Sequence, residues 1–156
     1  MLRKIVNRIT NKVPAAKAHC DGPCGIYDPA AARITGEAVR SMTKKILALT
    51  PPDPKDAAAF ARYNNTLSRY VAIKEEQAEE TKRELLVLWT DFFKPDHVKA
   101  NPDLHDIFWK AAKLCSACKV EVSAQHADEL MDAIENIHKL FWKTKGRDVS
   151  YYLAGG

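Results

Sequence analysis

Apolar residues recur along most of this chain every three or four positions, and that spacing predicts helix almost throughout. The first stripe is Ile34, Ala38, Met42, Ile46 and Leu49. Asp28-Pro29 opens it as a cap followed by proline at the first helical position, where the missing N–H costs nothing. Thr50-Pro51-Pro52-Asp53-Pro54 ends it. A second, longer stripe begins after Asp56 and runs through Phe60, Tyr63, Leu67, Tyr70, Ala78, Thr81, Leu85, Leu88 and Phe92, with a polar interruption at Lys74. No Gly or Pro breaks residues 57–94, so this helix is expected to extend about 50 Å or more at roughly 1.5 Å per residue. Lys94-Pro95 stops it.

Asn101-Pro102 repeats the cap-plus-proline device ahead of Leu104, Ile107, Phe108, Ala111, Cys115 and Cys118. Ser123 caps the last helix, with Ala127, Leu130, Ile134, Ile137 and Phe141 on its apolar face. Gly146 stands where a helix-ending glycine belongs, after Lys143 and Lys145, whose charges suit the negative helix end. No segment alternates with period two. The expected fold is all-α, a mainly antiparallel four-helix bundle. Its second helix is longer than its neighbours, so part of it is expected to overhang and contact other subunits.

Length and composition fit one soluble domain; 156 residues suffice for a core without disulfide staples. The net charge of +4 misleads, because it is concentrated at one end. Residues 1–18 hold Arg3, Lys4, Arg8, Lys12 and Lys17 and no acid, leaving nineteen bases against twenty acids in residues 19–156. A body so balanced is not expected to bind nucleic acid. No apolar run is long enough to cross a membrane. Polar residues interrupt the leader throughout, unlike a secretory signal, although Ala16-Lys17-Ala18 resembles a small-residue cleavage site. We therefore read residues 1–18 as a removable basic propeptide of a cytoplasmic protein, and residues 19–156 as its functional domain.

The chemistry concentrates in His19-Cys20-Asp21-Gly22-Pro23-Cys24-Gly25-Ile26-Tyr27. An imidazole and two thiols within six residues form a short metal-binding hook at the N-terminus of the bundle. Spacing alone leaves zinc, another metal or a reducible thiol pair open. A thioredoxin-type reading fails, because that motif has two intervening residues in a βαβ setting, and here there are three and no strands. Cleavage between Ala18 and His19 changes the donor set. The new α-amine, the Cys20 amide and the Cys20 sulfur then form fused chelate rings that lie in one plane. Cys24 completes the plane after the turn through Asp21-Gly22-Pro23, and the His19 imidazole can approach from above. A planar nitrogen and sulfur set suits Ni(II) or Cu(II) better than tetrahedral zinc, and affinity order alone favours copper. The amine has an ordinary pKa of roughly 7.7–8.0, so its proton is cheaply displaced by a metal near neutral pH.

His-Cys-Asp-x-Pro-Cys-Gly-Ile-Tyr-Asp-Pro after a removable leader resembles the nickel superoxide dismutases, in their longer bacterial precursor form. The resemblance extends in order through Leu88-Trp89-Thr90-Asp91-Phe92-Phe93-Lys94-Pro95, Pro102-Asp103-Leu104-His105 and Phe141-Trp142-Lys143-Thr144-Lys145. It implies a homohexamer of four-helix bundles with one nickel ion per subunit, disproportionating superoxide to dioxygen and hydrogen peroxide by Ni(II)/Ni(III) cycling. By the resemblance, His19, Cys20 and Cys24 are the metal ligands, with the imidazole axial in the oxidised state. Tyr27 corresponds to a tyrosine that orders water beside the vacant axial face and limits access to small anions. Asp21 corresponds to a residue that ties the hook to the bundle, and Pro23 to a proline with a cis peptide before it. Lys94 corresponds to a lysine that can attract superoxide, or serve only as a helix-end charge.

Four positions depart from the family's pattern. Thr35 and Gln77 stand where its best-known form has a glutamate supporting the imidazole and an arginine paired to it from a neighbouring subunit. Both charges are lost together, which leaves neither as an unpaired buried ion; a neutral hydrogen bond is expected to replace the pair. Phe92 replaces a tyrosine near the channel, and Gly22 a bulkier residue in the hook. Cys115 and Cys118, one turn apart, are expected to be small core residues, with a redox pair or accessory metal site as the alternative. His97, His105, His126 and His138 share no ligand spacing and are assigned capping, surface or packing roles. The competing function is a helical nickel or copper carrier using the same hook.

Overall fold

In a computed structural model, residues 25–155 are described, and they form five helices: α1 (Ala30–Leu47), α2 (Ala57–Val87), α3 (Pro95–Ala100), α4 (Leu104–Val120) and α5 (Ala124–Thr144). A π-helical turn, Leu88–Phe92, continues α2. The four long helices close a ring in which α1 packs on α2, α2 on α4, α4 on α5 and α5 on α1. Each pair is antiparallel. Thr35 near the start of α1 meets Thr81 near the end of α2, Lys74 reaches the end of α4, and Arg40 of α1 approaches Asp128 of α5. The expected all-α bundle is the fold observed among the described residues.

The local signals place most helix ends. Asp56 accepts from the Ala59 amide at 2.9 Å and Ser123 from the His126 amide at 3.2 Å, so both cap as expected. Asp28 accepts from the Ala30 amide at 2.8 Å, one residue earlier in register than a standard cap, and the helix begins after Pro29. Gly146 has φ +65°, and its amide and that of Arg147 donate to Lys143 and Trp142 carbonyls at 3.0 and 2.9 Å, closing α5 with a Schellman motif. Pro95, read only as a stop, also starts the short α3.

Two expectations about the core change. On α1 the buried residues are Ala32, Arg33, Gly36, Val39 and Thr43, whereas Ile34 is 54% exposed. The bundle uses the small-residue stripe because α5 comes very close there. A Cβ on Gly36 would stand 2.6 Å from Ile134 Cδ1 and 3.1 Å from Met131 Sδ. On α2, Lys74 does not interrupt the stripe but belongs to it, only 2% exposed, in line with Ala78, Thr81, Leu85 and Leu88. Its ammonium is buried because it donates to the carbonyls of Cys118, Lys119 (3.1 Å) and Glu121 (3.0 Å), which the end of α4 leaves without intrahelical partners. Before Lys74, α2 buries no residue and overhangs the bundle, with Phe60 and Tyr63 in ring contact on its flank.

After Gly146 the chain turns back along α1 and α5. The Val149 carbonyl meets His138 Nε2 at 2.8 Å, the Tyr152 ring lies 4.2 Å beneath the Arg33 guanidinium, and the Ala154 and Gly155 amides donate to the Glu37 carboxylate at 2.8–3.0 Å. Arg33 pairs with the same carboxylate at 2.8 Å. This strap buries an ion pair that helical periodicity does not foretell.

Candidate metal centre

The proposed hook residues His19, Cys20, Asp21, Pro23 and Cys24, and the cleavage position at Ala18, lie outside the described residues. The chain is described from Gly25, whose φ of +66° gives a turn that an L side chain would strain. It then runs through Ile26 and Tyr27 along a cavity of about 480 Å³, also lined by Asp28, Ala31, Arg83, Glu84, Val87 and Leu88. Sequence patterning, which follows the apolar stripe of this helix, did not single out Arg83 or Glu84. Arg83 pairs with Glu80.

Tyr27 is half-buried, and its ring packs on Phe92 with centroids 5.6 Å apart. Phe92 is the hub of this corner. It also contacts Phe93, Phe141 and His97, at 4.9, 4.4 and 5.7 Å, and the Lys145 ammonium lies 5.2 Å above its ring. The π-helical turn brings Phe92 here by adding a residue to the last turn of the long helix. Lys94 follows two residues later; its ammonium donates to the Asp91 carbonyl at 2.7 Å, and its amide donates to His97 Nδ1 at 3.1 Å.

The structure brings Thr35 together with Thr81. Their hydroxyls are 2.8 Å apart, and the Ala31 and Gln77 carbonyls lie 3.0 and 2.7 Å from them as further acceptors. Thr35 and Gln77 are thus linked through Thr81 and a backbone carbonyl, not directly through their side chains. Two hydroxyl protons serve this group, and both are spent inside it, so the Thr35 oxygen is left to accept from outside.

Cys115 and Cys118 are free and buried in the core. Burial pushes their thiols up to about 12 and about 11, which makes them unreactive at neutral pH. Among the described residues no three His, Cys, Asp or Glu side chains gather where a metal could sit, so the accessory-site alternative for this pair gains nothing. His105 accepts from the Trp89 indole at 2.8 Å. With His97 and His138 it has the structural role expected of it.

The family model for nickel-containing superoxide dismutase matches residues 14–145. The chain belongs to the nickel-containing superoxide dismutases. It is 41% identical over 128 residues to a nickel superoxide dismutase of Streptomyces seoulensis, covering 82% of this chain and 88% of that one. It is 35% identical over 141 residues to that of Streptomyces coelicolor, covering 90% and 98%. A 1.30 Å structure of native nickel superoxide dismutase superposes with a TM-score of 0.71 at 37% identity, covering 83% of this chain and all of that one. The chain is therefore an oxidoreductase that dismutes superoxide with nickel as cofactor, and the carrier reading gives way to the enzyme. Among the described residues, no helix is long and apolar enough to cross a membrane. The strap after residue 145 lies beyond the part that matches the family model.

Proposed function

We propose that the active site forms when a processing peptidase removes residues 1–18, cutting between Ala18 and His19, and that residues 19–27 of the mature 19–156 domain then hold one nickel ion per subunit. One observation carries this reading. The six-residue cluster of one imidazole and two thiols is followed in sequence, after Gly25, by Ile26 and Tyr27, which line the cavity, while the described body gathers no competing trio of ligands. The donor set fits nickel: two thiolates, the His19 amine and imidazole, and the Cys20 amide would be the groups that hold it. Nickel held there would supply the one-electron redox chemistry that dismutation needs.

The residues of the chain do the rest. Asp21 ties the hook to the body, and Pro23 folds Cys24 back towards Cys20. Thr35 Oγ1, whose own proton is committed, accepts from the imidazole N–H and steadies its ring in place of the charged pair of other family members. Gln77 acts one step further out, through the carbonyl that Thr81 faces. Tyr27, braced on Phe92, narrows the approach to small anions and orders water as a proton source. Two protons are consumed for each hydrogen peroxide released. Lys94 adds positive charge to that approach.

Subunits of this form are read as a cytoplasmic homohexamer. The outward-facing Ile34 and Leu47 on α1, and the overhanging Phe60 and Ile73 on α2, leave apolar flanks that neighbouring copies would cover. The test is the mature N-terminus with nickel content and superoxide turnover. A variant retaining Met before His19 should lack the mature nickel spectrum and turnover, and normal activity in it would refute the amine ligand. Processed, nickel-loaded hexamer without turnover would overturn the site.

A further inference from the structure

Superoxide is an anion, yet residues 19–156 carry one more acid than base, so attraction to the site must come from local placement of charge. Seven of the nineteen described Lys and Arg side chains pair with carboxylates, as Arg83 does with Glu80, Lys110 with Asp106 and Lys139 with Glu135. Lys145 differs. Its ammonium lies over two aromatic rings, 5.2 Å from the centre of Phe92 and 5.6 Å from that of Phe141, and among the described residues it forms no ion pair. The Schellman turn at Gly146 fixes the backbone that presents it. The Phe92 ring is also the one that bears on Tyr27, at 5.6 Å. The two steps of 5.2 and 5.6 Å bound the distance from the ammonium to the Tyr27 ring by their sum.

We propose that Lys145 steers superoxide, drawing the anion to the approach beside Tyr27. The aromatic rings hold the ammonium without cancelling its charge, which a carboxylate partner would do. Lys94, two residues along the chain from Phe92, likewise forms no ion pair among the described residues and donates to a neutral carbonyl. A unit charge about 10 Å from an anion in water changes its local concentration roughly twofold. That separation is close to the Debye length of about 10 Å at 0.1 M salt and far beyond the ~3 Å at 1 M. The effect must therefore fade with ionic strength, which a packing role for the same side chain would not.

The inference rests on the proposed site only for the reaction that is measured. Processed, nickel-loaded protein is assayed by pulse radiolysis from low to high salt, beside K145Q, K145E, K145R and, as a control on the same helix, K143Q. At low salt K145Q should fall about twofold in its second-order rate constant and K145E about fourfold. Both gaps should close towards 1 M, with K145R and K143Q following the unsubstituted protein throughout. Nickel content and thermal midpoint should not move. A K145Q rate equal to the unsubstituted rate at every salt overturns the proposal, as does a deficit that persists undiminished at high salt. Absence of turnover in the unsubstituted, nickel-loaded protein is a different result, and it refutes the site assignment.

Discussion

Replacing Lys74 by methionine keeps the apolar stem and removes only the ammonium, so it isolates the contacts made at the end of α4. That ammonium donates to three carbonyls. Hydrogen bonds to a charged donor contribute roughly 1.5–3 kcal/mol each, but the three do not add. Glu121 is exposed and its carbonyl can return to water, and Lys119 is partly so. The Cys118 carbonyl is the acceptor left buried. Against its loss stands the relief of removing a buried cation, whose cost is visible in Lys74 itself: burial pushes its pKa below the ordinary value. The balance is a destabilisation of about 2 kcal/mol, or roughly 4–8 °C for a domain of this size. Urea unfolding at fixed protein concentration measures it, and amide exchange across residues 117–121 localises it. Should K74M prove as stable as the unsubstituted protein, with unchanged exchange at that helix end, the buried ammonium is tolerated and does not clamp α2 to α4.

Other perturbations test the strap, the thiols and the imidazole support. Burial works to raise the Glu37 carboxyl, but the Ala154 and Gly155 amides and Arg33 outweigh it and hold it below the ordinary 4.5. The stability it adds is therefore full above that ordinary value and is lost as pH falls through the lowered one; E37Q should be less stable by roughly 1–2 kcal/mol near neutrality, and chemical unfolding should find the gap narrowing in acid. Cys115 and Cys118, pushed up by burial to about 12 and about 11, should resist a thiol reagent at pH 7.5 until urea opens the core; prompt labelling of the folded protein would contradict their burial. T35V leaves Thr81 able to donate to the Gln77 carbonyl, so it should fold normally while altering turnover and electron paramagnetic resonance of the nickel-loaded form. Unchanged spectra and rates would remove any supporting role for this hydroxyl.

Helix ends were legible in the sequence because caps are local: Asp56, Ser123 and Gly146 act within a few residues of themselves. Which face of α1 turns inward was not. Hydropathy weights Ile34 and Met42 above Ala32 and Gly36, yet close approach to Ile134 selects the smaller residues. Lys74 misled for the opposite reason: its partners are three carbonyls more than forty residues away, and no periodicity reports them. The strap depends on amides of Ala154 and Gly155 finding Glu37 across the whole domain. The candidate site was legible because its proposed ligands fall within six consecutive residues. What surrounds it was only partly so, since Lys145 reads along the chain as a helix-end charge and only the fold sets it over Phe92.

Building the donor set from one short segment divides the labour between hook and body. Substitutions at His19, Cys20 or Cys24 should change which metal is held, whereas those at Phe92, Lys94 or Lys145 should change how superoxide arrives. The proposed cut before His19 links the two. It creates the amine donor and in the same step removes five positive charges, converting a chain of net +4 into one of net −1. The leader's five positive charges would attract superoxide to no advantage before the cut, since no donor set is then complete. After the cut that charge is gone, while Lys145 keeps its unpaired charge over the Phe92 ring that bears on Tyr27. Salt should therefore slow the mature enzyme, whereas a net charge of −1 acting alone would make salt speed it.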